Sequence, residues 1–267
     1  MKVYLNEING IADAIVSLHM SKRSWSREME EEVQSICRLV LDERGFLKKD
    51  DLQREPQPTE SRPDELDELK ESEFTPKHLQ KTYAQFEIWM DMLERWGKSH
   101  TTLLRYVDFS CTVEGMHRAA QDDWDSHAKR FNNRILRSST RLASFEYEMS
   151  DWYKGKIIST DAALDLLGIN VPNQIEIDGI PYVKGINGYI RKGLESEQDV
   201  KRGLYMLSIP SNFIFRCDIT EWSHVYKERN AKGTAHPEVQ ECCEAIADLL
   251  FDAHRQFNRD LFDGILN

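Results

Sequence analysis

The stretch DSHAKRFNNRILRSSTR, Asp125 to Arg141, gathers five Lys/Arg, two Asn, three Ser and a His within seventeen residues. Donors at that density suit an anionic ligand. A Ser-x-Arg turn, Ser139 to Arg141, can offer hydroxyl, backbone N–H and guanidinium donors to one phosphate. A charged helix face is written with the same residues, and spacing alone does not separate the two. Phe131, Ile135 and Leu136 are the side chains expected to anchor the stretch to apolar surroundings. A second constellation lies in DITEWSHVYKERNAKGTAHPEV, Asp218 to Val239. His224 and Arg229 stand five apart there, and Glu238 follows a loop containing Gly233 and Pro237. Alone, this reads as a helix followed by a second, capped helix.

Several other chemistries lack their residues. There is no G-x-G-x-x-G fingerprint, no G-x-x-x-x-G-K-[ST] loop, no G-x-S-x-G elbow and no His-x-x-x-His pair. GINGYIRKG, Gly185 to Gly193, is glycine-rich at neither nucleotide-binding spacing and reads as a turn. The five cysteines (Cys37, Cys111, Cys217, Cys242, Cys243) are odd in number and lack metal-ligand spacing. They form no disulfide framework, and none is marked as a nucleophile.

The elements that must position these groups follow from periodicity. KVYL reads as a first strand, and residues 26–42 have apolar positions at helical spacing. Residues 48–73 are polar, acidic and carry three prolines, a solvated excursion rather than a core element. A Thr-Pro start at Thr75 opens a helix that stops at Gly97. YVDFSCTVEG alternates like a strand, YMLSIPSNFIFRCD is a strand interrupted by Pro210, and NQIEIDGIPYV is a hairpin about Asp178-Gly179. A last helix runs from about Pro237 to Phe262. Without a regular βαβ rhythm, the order indicates α+β rather than doubly wound α/β.

The whole chain sets the frame. At 267 residues, 40% hydrophobic and six Trp, it can build a sizeable core, and we expect one domain over 1–267. A net charge of −11 opposes general nucleic-acid binding. No signal core or membrane-length apolar run is visible, so the expected setting is reduced and cytoplasmic, away from membranes.

Taken in order, these stretches resemble the flavin-dependent thymidylate synthase family from His100 to the C-terminus. HTTLLRYVDFSCTVEGMHRA is similar to a family segment with a leading His, a Glu-His pair, an alternating strand and a Gly-x-x-Arg step. The register places His127 on the central His of the family's Arg-His-Arg motif and Asp123 on its preceding Gln or Glu. With about three extra residues, RSSTRLASFEYE puts Ser139 and Arg141 on the nucleotide-binding Ser and Arg. VKRGLYMLSIPSNFIFRCDITEWSHVYKERNAKGTAHPEV resembles the C-terminal signature, with Arg202, Asp218, Trp222, His224, Arg229 and Glu238 in matching places. The departures are specific. Ser126-His127-Ala128 replaces Arg-His-Arg, Arg105-Tyr106 replaces Glu-His, and Cys217-Asp218 replaces a Gly-Asn. The hairpin at 174–183 stands where the family has a long helix.

The resemblance implies an α+β protomer, an antiparallel sheet flanked by helices, assembled as a homotetramer with FAD where subunits meet. It implies transfer of a one-carbon unit from methylenetetrahydrofolate to C5 of a uridine nucleotide, dUMP or UMP, with NADPH reducing the flavin. Arg229 and Arg202 would hold the uracil carbonyls, where charge develops during C5 attack. Ser139, Arg141 and Asp123 would complete the substrate site. His100, His127, Asp218, His224 and Glu238 would contact the cofactor. A hydroxymethylating enzyme and a non-catalytic nucleotide-binding relative are the alternatives.

Overall fold

The computed structural model describes residues 1–48, 77–97, 99–126, 134–138, 150–185, 187–205, 207–230 and 235–254. Four antiparallel strands form the central sheet in the order β1-β2-β7-β3: β1 is Lys2–Asn9, β2 Asp108–His117, β3 Arg134–Arg137 and β7 Pro210–Asp218. Alternation decides its faces. Phe213, Phe215 and Cys217 of β7 point inward with Phe109, Cys111 and Val113 of β2, while Asn212, Ile214 and Arg216 point out. Two irregularities reset the phase. One, between Leu5 and Glu7, lets Leu5 and Ile8 both face the core; the other, between Val113 and Met116, turns Met116 inward. Gly115 sits there at φ 80, with its N–H on Asn212 Oδ1.

Helices cover the inner face: α1 (Ile11–Ser21), α2 (Arg27–Val40), α3 (Lys77–Gly97), α4 (Arg118–Ser126), α7 (Ile219–Asn230) and α8 (Pro237–Ala253). Trp124 of α4 and Trp222 of α7 meet Phe109, Phe213 and Phe215 at ring distances of 5.3–6.3 Å, and each other at 6.4 Å, which fastens both helices to the sheet. A 3-10 turn, Thr101–Tyr106, leads into β2. Between β3 and β7 lie α5 (Thr160–Leu166), a three-stranded sheet and α6 (Gln198–Arg202). That sheet runs β4-β5-β6, Gln174–Ile177, Ile180–Gly185 and Gly188–Arg191.

Four sequence expectations change. GINGYIRKG includes strand β6 rather than a turn alone, because the hairpin before it offers an edge to pair with. Pro210 opens β7 rather than interrupting a strand, since proline at a strand's first residue forfeits no ladder bond. Residues 134–137 are an edge strand on β7, not a helix face. Leu136, expected to anchor them, is 73% exposed, and Ile135 makes the contact with the core. Phe131 lies outside the described residues, as do most of the 48–73 excursion and the last helix beyond residue 254.

Candidate functional site

Arg229 and Glu238, distant from Asp123 in sequence, come to the same end of the sheet. Arg229 lies in the last turn of α7, only 2% exposed, and its Nη1 donates to Asp123 Oδ1 on α4 at 3.1 Å. The other Asp123 oxygen accepts the backbone N–H of His236 at 2.9 Å. His236 is the N-cap of α8. Its Nδ1 accepts the Glu238 N–H at 3.2 Å, and Pro237 occupies the first turn, where no donor is missed. The Glu238 carboxylate is buried, and one oxygen accepts both the backbone N–H and the ring N–H of His117 at the end of β2.

Aromatic rings close over this network. His117, fully buried, stacks on Trp152 at 5.7 Å and meets Tyr153 and His236 edge-on at 4.7 and 4.5 Å. Trp152 also meets His236 at 4.2 Å, and Lys156 Nζ sits 3.3 Å from the Trp152 ring centre. Burial, with the nearby His117, pushes the His236 imidazole below its ordinary pKa; Lys156 acts in the same direction, and Glu238 and Asp123 oppose it. Burial raises the Tyr153 phenol, helped by the Glu238 charge. The arrangement offers a buried guanidinium, a half-buried neutral imidazole and an aromatic wall. Such a set can bind a flat, polar ring by hydrogen bonds at its edge and contact on its face.

A second group forms around the start of α7. Thr220 Oγ1 donates to Thr101 O at 3.2 Å, which docks α7 beside the 3-10 turn capped by His100. His100 is exposed and stacks on Trp96 at 5.9 Å with the rings 10° apart. His224 is half-buried one helical turn beyond Thr220, on the same face. Asp218 caps α7: it is buried, and its Oδ1 accepts the Glu221 N–H at 2.8 Å. Burial raises its carboxyl pKa, opposed by those backbone N–H groups and by Arg105.

The ten residues expected from sequence therefore separate. Arg229, Asp123 and Glu238 come together in one network; His100, Asp218 and His224 lie on adjoining elements around the start of α7. Glu238 stands apart from the other expected cofactor contacts because its carboxylate is turned inward onto His117. Arg202 ends α6, and its side chain lies outside the described residues, as do His127, Ser139 and Arg141 in full. Within the donor-rich stretch, Arg137 is already engaged: its Nη1 donates to Asp122 at 2.5 Å, and its Nη2 to Gln121 O at 2.7 Å and Asp125 at 3.2 Å. Sequence reasoning missed His117 and His236. The available signal was His236-Pro237-Glu238, a capped helix start beside Arg229.

All five cysteines are buried, and burial pushes their thiols up, Cys37 to about 12. No thiolate nucleophile is poised. Among the described residues no cluster of His, Cys, Asp and Glu could hold a metal ion, and no helix is long and apolar enough to cross a membrane.

Solved structures share this fold. The crystal structure of thymidylate synthase X (ThyX) from Helicobacter pylori with FAD and dUMP matches over 98% of this chain and 99% of its own, with a TM-score of 0.50 and 11% identity. A second structure of the flavin-dependent ThyX from Helicobacter pylori, complexed with FAD and dUMP, matches over 97% and 99%, with a TM-score of 0.51 and 11% identity. No family model and no curated protein matches by sequence.

Proposed function

We propose that this protein is an enzyme that transfers a one-carbon unit from methylenetetrahydrofolate to C5 of a uridine nucleotide, dUMP or UMP, giving the 5-methyl product. The observation that carries the reading is the buried Arg229 paired with half-buried Asp123 beside the His236 and Trp152 rings, inside a fold that FAD- and dUMP-binding ThyX structures share over their full length. Arg229 binds the ring edge. A buried guanidinium also stabilises negative charge on a uracil carbonyl as C5 becomes nucleophilic, because it needs no reorganisation when the charge appears. Asp123 orients it. Arg202 adds a second cation to the ring, and Ser139 and Arg141 hold the phosphate. Trp152 and Tyr153 exclude water from the ring face.

His100, His224 and Arg105 fit an anionic dinucleotide: an exposed imidazole backed by Trp96, a second imidazole on the adjoining helix, and an exposed cation. These residues, with His127, would hold FAD. Asp218 and Glu238 serve that site by shaping the starts of α7 and α8. Bound flavin supplies the hydride that completes the methyl group, with NADPH as its reductant. A homotetramer belongs to this reading. It is supported by two exposed apolar side chains on the otherwise polar outer face of the central sheet, Leu136 and Ile214, beside a cleft of about 490 Å³ that also takes in Arg216 and Glu7.

One observation favours a second reading, a nucleotide-binding relative without flavin: Asp218 is a buried carboxylate serving as a helix cap, in the place of the Asn that meets the flavin nucleotide. Colour and binding separate the two. Purified protein should be yellow with flavin absorbance, bind dUMP in titration calorimetry, and lose one to two decades of affinity in Arg229→Ala, from a charge-assisted bond of about 1.5–3 kcal/mol. Colourless protein that binds dUMP supports the second reading. Failure to bind dUMP or UMP refutes both.

A further inference from the structure

The His236 ring is held in one tautomer and one orientation. Its Nδ1 accepts the Glu238 N–H, so in the neutral imidazole the ring proton is on Nε2. Neutrality is favoured by burial and by His117. The orientation is fixed twice. The ring is wedged edge-on between His117 and Trp152, at 4.5 and 4.2 Å, and turning it would break the cap of α8. Its position relative to Arg229 is fixed as well, because a single carboxylate, Asp123, holds the His236 N–H on one oxygen and the Arg229 guanidinium on the other. Among the described residues nothing pairs with Nε2, and the residue is half-buried rather than sealed. The result is a rigid, uncharged N–H donor next to a buried cation.

A rigid donor selects acceptors. The 4-oxo group of a uracil ring accepts a hydrogen bond, whereas the 4-amino group of cytosine presents donors. A donor facing a donor leaves both desolvated and unsatisfied, which is how a polar site rejects a near-isostere. We propose that His236 is the specificity-determining residue of this site, its Nε2–H donating to the 4-oxo group of the pyrimidine that Arg229 binds and so selecting uridine over cytidine nucleotides. This rests on the nucleotide-binding reading above and extends it to the choice of base.

The test compares dissociation constants for dUMP and dCMP in the full-length protein and two variants. His236→Asn keeps an N-cap acceptor for α8 but is too short to reach the ring. His236→Gln reaches the Nε2 position with an amide that can turn either its N–H or its oxygen outward. Wild type should prefer dUMP by at least about tenfold. In His236→Asn the dUMP affinity should fall roughly tenfold, with dCMP unchanged or tighter, and the preference should vanish. His236→Gln should keep dUMP within about threefold and gain dCMP, since its amide can serve either base. Thermal unfolding within a few degrees of wild type establishes that each variant is folded. An unchanged dUMP/dCMP ratio in folded His236→Asn overturns the inference while leaving the nucleotide site standing. So does a wild type that binds the two equally. A wild type that binds neither nucleotide refutes the underlying reading instead.

Discussion

Replacing Asp123 by Asn should destabilise the protein by about 2–3 kcal/mol, at or below the low end of the roughly 3–5 kcal/mol for breaking a fully buried ion pair. Arg229 is 2% exposed, so its charge cannot be recovered by water; the Asp123 side chain is 29% exposed, so the pair is only partly shielded. Asn can keep an oxygen for the His236 N–H, but it removes the charge and turns an NH2 donor toward the Arg229 guanidinium in place of the second acceptor. Ala removes both, and the orphaned backbone donor should raise the cost to about 3–5 kcal/mol. For a chain of this size each kcal/mol corresponds to roughly 2–4 °C in Tm. Asp123→Asn should therefore melt roughly 4–12 °C below wild type, followed by far-UV circular dichroism. Pairing it with Arg229→Met closes a double-mutant cycle. The double variant should recover most of the loss, since no buried charge remains without its carboxylate. Asp123→Asn melting within about 2 °C of wild type, or strictly additive single and double variants, would show that the pair is not a coupled unit. The claim that Asp123 orients Arg229 would then fail.

Two further outcomes follow from buried features elsewhere. His254 is buried with its Nε2 on Gly45 O at 2.6 Å, and burial pushes its pKa down to about 4. Above about pH 6.5 both folded and unfolded chains hold it neutral; below that the unfolded chain takes up the proton first, so stability falls between about pH 6.5 and 4, by about 3 kcal/mol from this residue. His254→Gln, which keeps the donor, should flatten that part of the urea-unfolding profile against pH. Gly10 stands at φ +80 before α1, and a Cβ there would lie 1.8 Å from Tyr106 O. Gly10→Ala should cost about 2–4 kcal/mol in chemical unfolding, and a loss under 1 kcal/mol would show that the backbone yields freely.

The parts of the fold legible in sequence are those whose periodicity is long. The helix ending at Gly97 and the strand leading to His117 announce themselves through many repeats of one spacing. β3 could not: four residues, Arg134 to Arg137, hold too few alternations to separate a strand from a turn of helix, and the pairing with β7 that decides the matter lies far along the chain. The bulges at Asn6 and Gly115 are likewise set by the neighbouring strand. At the site, Arg229, Asp123 and Glu238 were legible because a family resemblance marks their places. His117 and His236 were not, since each acts through a contact made across the fold: the Glu238 carboxylate for one, the Asp123 carboxylate for the other.

The carboxylates of α4 give the donor-rich stretch a second explanation alongside the anionic ligand. QDDWDS places Asp122 and Asp125 three residues apart, hence on one helix face. Together they take Arg137 of the edge strand. Asp123 lies on a different face and takes Arg229 instead. One short acidic helix therefore serves two arginines with different fates. Arg137, on the outer strand with a partly exposed side chain, ties β3 to α4 in water, where such pairs contribute little beyond register. Arg229, 2% exposed near the end of α7, keeps its charge in a dry setting, where a guanidinium would interact most strongly with the ring edge it is proposed to bind. Burial, not composition, separates the arginine that ties β3 to α4 from the one proposed to meet the nucleotide. An acidic chain can carry a local excess of donors because neighbouring acids neutralise those used for folding, as Asp122 and Asp125 do for Arg137.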